Sequence, residues 1–143
     1  MTKRMTTRAA TRVWRVAVLA GVAAIGLGGA AFACRCITYK SAADQLSAAD
    51  VMFVGRVVAS EPESGRLKTM RNLTEFAVLK TLKGEVSPTA EVLHEPGRAG
   101  SCGVSFRPGQ TRIVLAHRNA EGGLETSGCD APQFLLADYE AAR

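Results

Sequence analysis

The residues of this chain whose types suit chemistry are four cysteines, two histidines and one serine beside a cysteine. Cys34 and Cys36 stand one residue apart in Cys34-Arg35-Cys36, directly after an apolar run ending Ala31-Phe32-Ala33, while Cys102 and Cys129 lie alone downstream. Cys-x-Cys is not the Cys-x-x-Cys of thiol redox enzymes. It also lacks the paired C-x2-C spacing of a structural zinc site. In a chain that leaves the reducing cytosol, an even cysteine count reads as two disulfides. Three pairings are possible. Joining Cys34 to Cys36 closes a tiny, strained ring that disulfide geometry disfavours, so each of these two reaches to one of Cys102 and Cys129.

The position of Cys34 offers a second chemistry. A cut after Ala33 makes Cys34 residue one, and its α-amino group and own carbonyl oxygen then form a five-membered chelate for a metal. The amine has a pKa near about 8, so a neutral fraction exists at neutral pH. A disulfide from the same residue holds that amine in place, and one from Cys36 fixes the direction of the chain leaving it. Preorganisation of this kind lowers the entropic cost of binding. The plainer role for Cys34 is a staple that ties a frayed terminus to the domain.

Enzyme chemistry finds little support. His94 and His117 each fall inside a predicted strand with no second histidine at metal-ligand spacing. Ser101 lacks the Gly-x-Ser-x-Gly elbow of a hydrolase, no two carboxylates are paired by spacing, and disulfide-held cysteines are not nucleophiles. The expectation is a protein that is not an enzyme and has no cofactor of its own.

The cut itself is argued from the first 33 residues. Lys3, Arg4, Arg8, Arg12 and Arg15 come with no acidic residue, the apolar and small residues 16–33 follow, and Ala31-x-Ala33 closes the run. That order is the grammar of a cleaved secretory signal peptide. A single membrane anchor is the rival, since 18 residues lie near the lower limit for a span. A lipidated Cys34 is a third option, against which stands the bulky Phe32. Membrane association is thus expected only through the signal or a lipid on Cys34, and the mature chain is secreted or held in the cell envelope. All five basic residues of the leader leave with it, so residues 34–143 hold thirteen basic and thirteen acidic residues. The basic pI belongs to the leader and is no evidence for nucleic-acid binding. Nothing indicates more than a monomer.

The elements that must position these residues follow from pattern. Ser41 caps a short helix that runs to about residue 48, with Asp44 near its positive end. Residues 51–60, 73–84, 89–95, 111–117 and 124–128 read as five strands, the first carrying a bulge at Gly55. Residues 61–72 read as an exposed loop, "CGVSF" (102–106) as a short extension, and residues 133–143 as a closing helix. Short strands separated by Gly and Pro turns favour a small barrel or sandwich.

In order along the chain, Cys34-x-Cys36 after the signal, Ala49-Asp50-Val51, "FVGRV", "FAVLKTLKG", "SCGVSF", "GQTRIVLAH", "LETSGCD" and the Pro132-led closing helix resemble the N-terminal netrin-like domain of the tissue inhibitors of metalloproteinases, in a single-domain form. The resemblance covers nearly all of residues 34–143. It implies a mainly β, five-stranded OB-fold Greek-key barrel flanked by helices, and the pairing Cys34–Cys102 and Cys36–Cys129. It implies inhibition of a zinc metalloprotease, with the Cys34 amine and carbonyl on a zinc that belongs to the target. Arg35 then points at the specificity pocket, Cys36, Ile37 and Thr38 continue along the cleft, and Ser101, Cys102, Gly103 and Val104 form the second edge. Two positions depart from the family: Arg35 stands where a small Thr or Ser is usual, and Ser47 where a third cysteine is expected. The alternative is a non-inhibitory OB-fold binding module that docks to another extracellular or envelope protein.

Overall fold

The computed structural model describes residues 34–62, 71–98 and 100–143. The expected signal peptide, and most of the loop expected over 61–72, lie outside the described residues. Within them, helix α1 (Ala42–Ala48) precedes strands β1 (Val51–Pro62), β2 (Asn72–Lys83), β3 (Thr89–His94), β4 (Thr111–Arg118) and β5 (Leu124–Thr126). A 3-10 turn (Gly128–Asp130) and helix α2 (Leu136–Ala141) follow.

The strands close into a barrel in the order β1-β2-β3-β5-β4, with β4 returning to β1. The β3–β5 pair is parallel and the others antiparallel. This is the five-stranded Greek-key OB barrel expected. β1 makes closure possible by serving two partners. It pairs with β4 from Val51 to Arg56 and with β2 from Met52 to Pro62, and its register with β2 shifts at three places, one of them Val54/Gly55. Such bulges bend a strand and sharpen its twist.

Strand alternation sorts the apolar residues into two layers. Val51, Phe53 and Val57 of β1 point inward with Phe76, Ala90, Val92, Val114 and Ala116 and fill the barrel. Met52 points outward, where it meets Leu82 and Leu115 beneath Ala42, Leu46 and Ala49 around α1 and Tyr139 of α2. Phe53 and Phe76 are fully buried and meet edge-on at 5.6 Å. Burial of side chains this size is worth roughly 2–3 kcal/mol each.

The ends of α1 are satisfied from both sides. Ser41 Oγ accepts the Asp44 N–H at 3.1 Å, the N-cap read from sequence. At the other end the Lys83 ammonium donates to the carbonyls of Leu46, Ser47 and Ala49, orphan acceptors of the last turn. At Ser47, where a third cysteine was expected from the resemblance, the side chain bonds its own helix at Asp44 O, and Lys83 ties this end of the helix to the barrel.

Four expectations need correction. β1 runs two residues further than residue 60, because its outer half stays paired with β2. β5 stops at Thr126 rather than 128: Ser127 caps the 3-10 turn, accepting from Cys129 N, while Asp130 Oδ2 takes the Ser127 N–H. The closing helix starts at Leu136 rather than 133, since the Gln133 and Phe134 N–H groups bond to the Tyr139 hydroxyl instead of starting a helical ladder. Residues 102–106 form no strand. Only Val104 makes a bridge, to Pro96, and Phe106 then turns into the barrel end to meet Phe76 at 5.1 Å and His94 at 4.9 Å.

Candidate functional site: a doubly pinned amino-terminal ridge

The first residues of the domain form no helix or strand, so their position depends on what ties them down. Cys34 is bonded to Cys102, with Cα atoms 5.5 Å apart, and Cys36 to Cys129, with Cα atoms 5.0 Å apart. This is the pairing the resemblance implied. The anchors come from two loops at one end of the barrel: Cys102 follows β3, and Cys129 sits in the 3-10 turn after β5.

These two loops are locked to each other. The Gly128 N–H donates to the Cys102 carbonyl at 2.6 Å. A Cβ on Gly128 would meet Gly103 O at 2.8 Å and Cys102 O at 3.0 Å, and a Cβ on Gly103 would run into the Pro96 carbonyl. Glycine at both positions is what lets the backbones approach. The Cys102 loop is closed further by Val104 N to Glu95 O at 2.9 Å and Gly97 N to Val104 O at 3.1 Å. Ser101 serves this loop too. Its hydroxyl accepts the Arg98 N–H at 3.0 Å and the Gly103 N–H at 3.3 Å. The sulfurs of Cys34, Cys36 and Cys129 consequently lie within 4.8 Å of one another. All are spent in disulfides, so they are not the thiolate ligands a metal would need.

A third tether acts just beyond Cys36, at residues 37 and 39. Gln133 grips the main chain with both ends of its amide: Nε2 donates to Ile37 O at 2.7 Å, and Oε1 accepts the Tyr39 N–H at 3.0 Å. Gln133 is itself placed by a buried pair. Its N–H reaches Gln45 Oε1 at 3.0 Å and the Tyr139 hydroxyl at 3.1 Å, the Tyr139 hydroxyl donates to Gln45 Oε1, and Gln45 Nε2 donates to Ala131 O at 2.9 Å. Gln45 and Tyr139 are almost wholly buried. Sequence reading missed Gln45, Gln133 and Tyr139. One signal was present: Gln45 falls between Ala42 and Leu46 on the face of α1 that packs against the barrel, a polar residue where an apolar one is expected.

The Cys34–Cys102 disulfide joins the two segments whose contact residues the resemblance implied, 34–38 and 101–104. Cys34 is half-buried, and Arg35, Cys36, Ile37 and Thr38 are exposed, Ile37 to 68%. Ser101 and Cys102 are exposed beside them, while Gly103 and Val104 are partly covered. A groove of about 380 Å³ runs alongside, bordered by Cys102, Glu95, Ser127 and the Arg71–Glu125 ion pair at 2.9 Å. The hydrogen bond from Asn119, joined by Arg71, holds the Glu125 carboxyl below its usual range.

The histidines lie apart from each other and do different work. His94 Nδ1 faces the Glu95 carbonyl at 3.1 Å, which can only accept, so Nδ1 carries the proton. Nε2 must then accept from Thr74 Oγ1 at 2.7 Å, and Thr74 in turn accepts from Ser60 Oγ at 2.6 Å. Burial lowers the His94 pKa, partly offset by hydrogen bonds to the Glu95 and Val104 backbone, which favours the neutral imidazole. His117 Nε2 meets Asp130 Oδ1 at 3.1 Å, while Ser127 Oγ donates to Asp130 Oδ2 at 2.7 Å. Serine and histidine both touch the carboxylate, so this trio has no path from the serine proton to the imidazole of the kind a nucleophilic serine needs.

Among the described residues no helix is long and apolar enough to cross a membrane. No family model matches the chain, and no curated protein matches it in sequence.

Proposed function

We propose that this protein is an exported inhibitor of a zinc metalloprotease, a single-domain relative of the netrin-like tissue inhibitors, and that it acts through the amine and carbonyl of Cys34. The observation that carries the reading is the ridge: a terminus stapled at residues 34 and 36, clamped at 37 and 39, and exposed from Arg35 to Thr38. A loose terminus would lose much of its contact energy to ordering; this one is ordered before it meets a partner. Once the leader is cut after Ala33, the Cys34 α-amine becomes a neutral nitrogen donor above its pKa of about 8 and a partial one at neutral pH. Amine and carbonyl together occupy the coordination position that a catalytic zinc otherwise keeps for water, which removes the attacking nucleophile. Residues 34–38 fill the cleft on one side and residues 101–104 support them from the other. The zinc belongs to the protease, and the inhibitor supplies only main-chain ligands.

Intact mass spectrometry of the exported protein tests the premise. The expected mass is that of residues 34–143 less four hydrogens, with a free amine. A start at any other residue, or an acylated amine, refutes the mechanism. A non-inhibitory binding module, by contrast, predicts partner binding that is unchanged when the amine is blocked.

A further inference from the structure

Arg35 is the only side chain between the two staples. It is exposed, and its guanidinium has no hydrogen-bond or ion-pair partner among the described residues. Its backbone is held on both sides through Cys34 and Cys36, so the direction in which the side chain leaves is set by the fold. The surroundings share its sign. Segments 34–40 and 95–104 carry Arg35, Lys40 and Arg98 against one carboxylate, Glu95, in a domain, residues 34–143, whose charges balance as a whole. The ridge is a locally basic surface on a neutral protein.

Resting on the proposed reading, in which the resemblance directs Arg35 at the specificity pocket beside the metal, we take that pocket to be the one for the substrate residue following the cut bond. An apolar pocket there would have to bury an unpaired guanidinium, which is strongly disfavoured. A carboxylate at its floor would instead meet the planar fork in a bidentate, charge-assisted pair. We infer that the target is a zinc endopeptidase with an acidic pocket beside its metal, one that cleaves before Arg or Lys, and that Arg35 selects it. The surrounding cations add electrostatic steering, which weakens as ionic strength rises.

The test uses the oxidised protein beginning at Cys34, its N-acetylated form, and the variants Arg35→Lys, Arg35→Glu and Arg35→Thr. Each is assayed against two zinc endopeptidases, one that cuts before basic residues and one that cuts before large apolar residues. The expected result is inhibition of the first enzyme in preference to the second. Arg35→Glu weakens that inhibition by roughly 30-fold or more, the loss usual for breaking a desolvated charge pair. Arg35→Lys keeps the charge but loses the bidentate fork, so it weakens inhibition less than Arg35→Glu does, and Arg35→Thr shifts preference toward the apolar-pocket enzyme. If acetylation abolishes inhibition but Arg35→Glu inhibits as well as the native protein, or the native protein prefers the apolar-pocket enzyme, the acidic-pocket inference is overturned and the chelation reading stands. If the acetylated protein inhibits like the native one, or the native protein inhibits neither enzyme, both are overturned.

Discussion

Removing the Gln45 side chain should loosen the ridge from a distance, because Gln45 holds Gln133 and Gln133 holds residues 37 and 39. Gln45→Ala deletes three hydrogen bonds: to Ala131 O, from Gln133 N and from the Tyr139 hydroxyl. At about 1 kcal/mol net for each bond, the cost is roughly 3 kcal/mol. Water at the exposed Ala131 recovers part of it, while the buried Tyr139 hydroxyl is left without an acceptor. Tyr139→Phe removes the shared bond together with the acceptor for the Gln133 and Phe134 N–H groups, three bonds again, for roughly 3 kcal/mol. Because one bond belongs to both residues, the double variant should cost about 1 kcal/mol less than the two single losses combined. Urea denaturation of the oxidised proteins, with m-values compared, measures all three. The second readout is hydrogen exchange at the Tyr39 amide, which should speed up in Gln45→Ala while Phe53 and Phe76 in the barrel stay protected. A Gln45→Ala loss below about 0.5 kcal/mol, the scatter of ordinary surface substitutions, or additive single variants, would refute the network.

Other consequences are as specific. His94 has a lowered pKa in the folded state, so the unfolded chain binds more protons below its ordinary value of about 6.5. Stability should therefore fall as pH drops below about 6.5 and level off once the folded imidazole also protonates; midpoints from denaturation between pH 7 and 5 should show this slope, and His94→Gln should flatten it. Replacing Cys36 and Cys129 together by serine opens a link across 93 residues and should cost roughly 2–5 kcal/mol, read as a lowered denaturation midpoint with the far-ultraviolet spectrum retained. Gly128→Ala forces a methyl against two carbonyls and should destabilise by about 1–3 kcal/mol, whereas an unchanged Tm would mean the two anchor loops are not in contact.

The barrel was readable because its strands obey a period of two with β-branched and aromatic residues on the inner face, and because turn residues separate them. "LTEFAVLKTLKG" could have suited a helix by composition. It became a strand because Thr74 and Phe76 point inward and the segment pairs on both sides, with β1 and with β3. The ends of elements were less legible. Phe134 and Leu135 look helical, yet the N–H groups of 133 and 134 are taken by a tyrosine hydroxyl that only the folded chain brings near. The same reason hid half of the site. Cys34 and Cys36 announce themselves through spacing, and the loop at 101–104 entered only through the resemblance, but residue-level composition does not reveal that Gln133 grips a segment 96 residues earlier at Ile37. Nor does it reveal that Gly128 and Gly103 are glycines because two anchor loops touch there. Long-range hydrogen bonds by single polar side chains leave no periodic trace.

The central claim is that a main-chain amine, fixed by the Cys34–Cys102 staple, is the inhibitory group. It is tested most directly by placing one alanine before Cys34 and comparing the inhibition constant with that of the native protein on the same zinc endopeptidase. The added residue turns the amine into an amide and leaves the barrel, both disulfides and Arg35 in place. The account predicts a loss of roughly 30-fold or more, the size of an interface hot spot. Equal inhibition by the two proteins would contradict it.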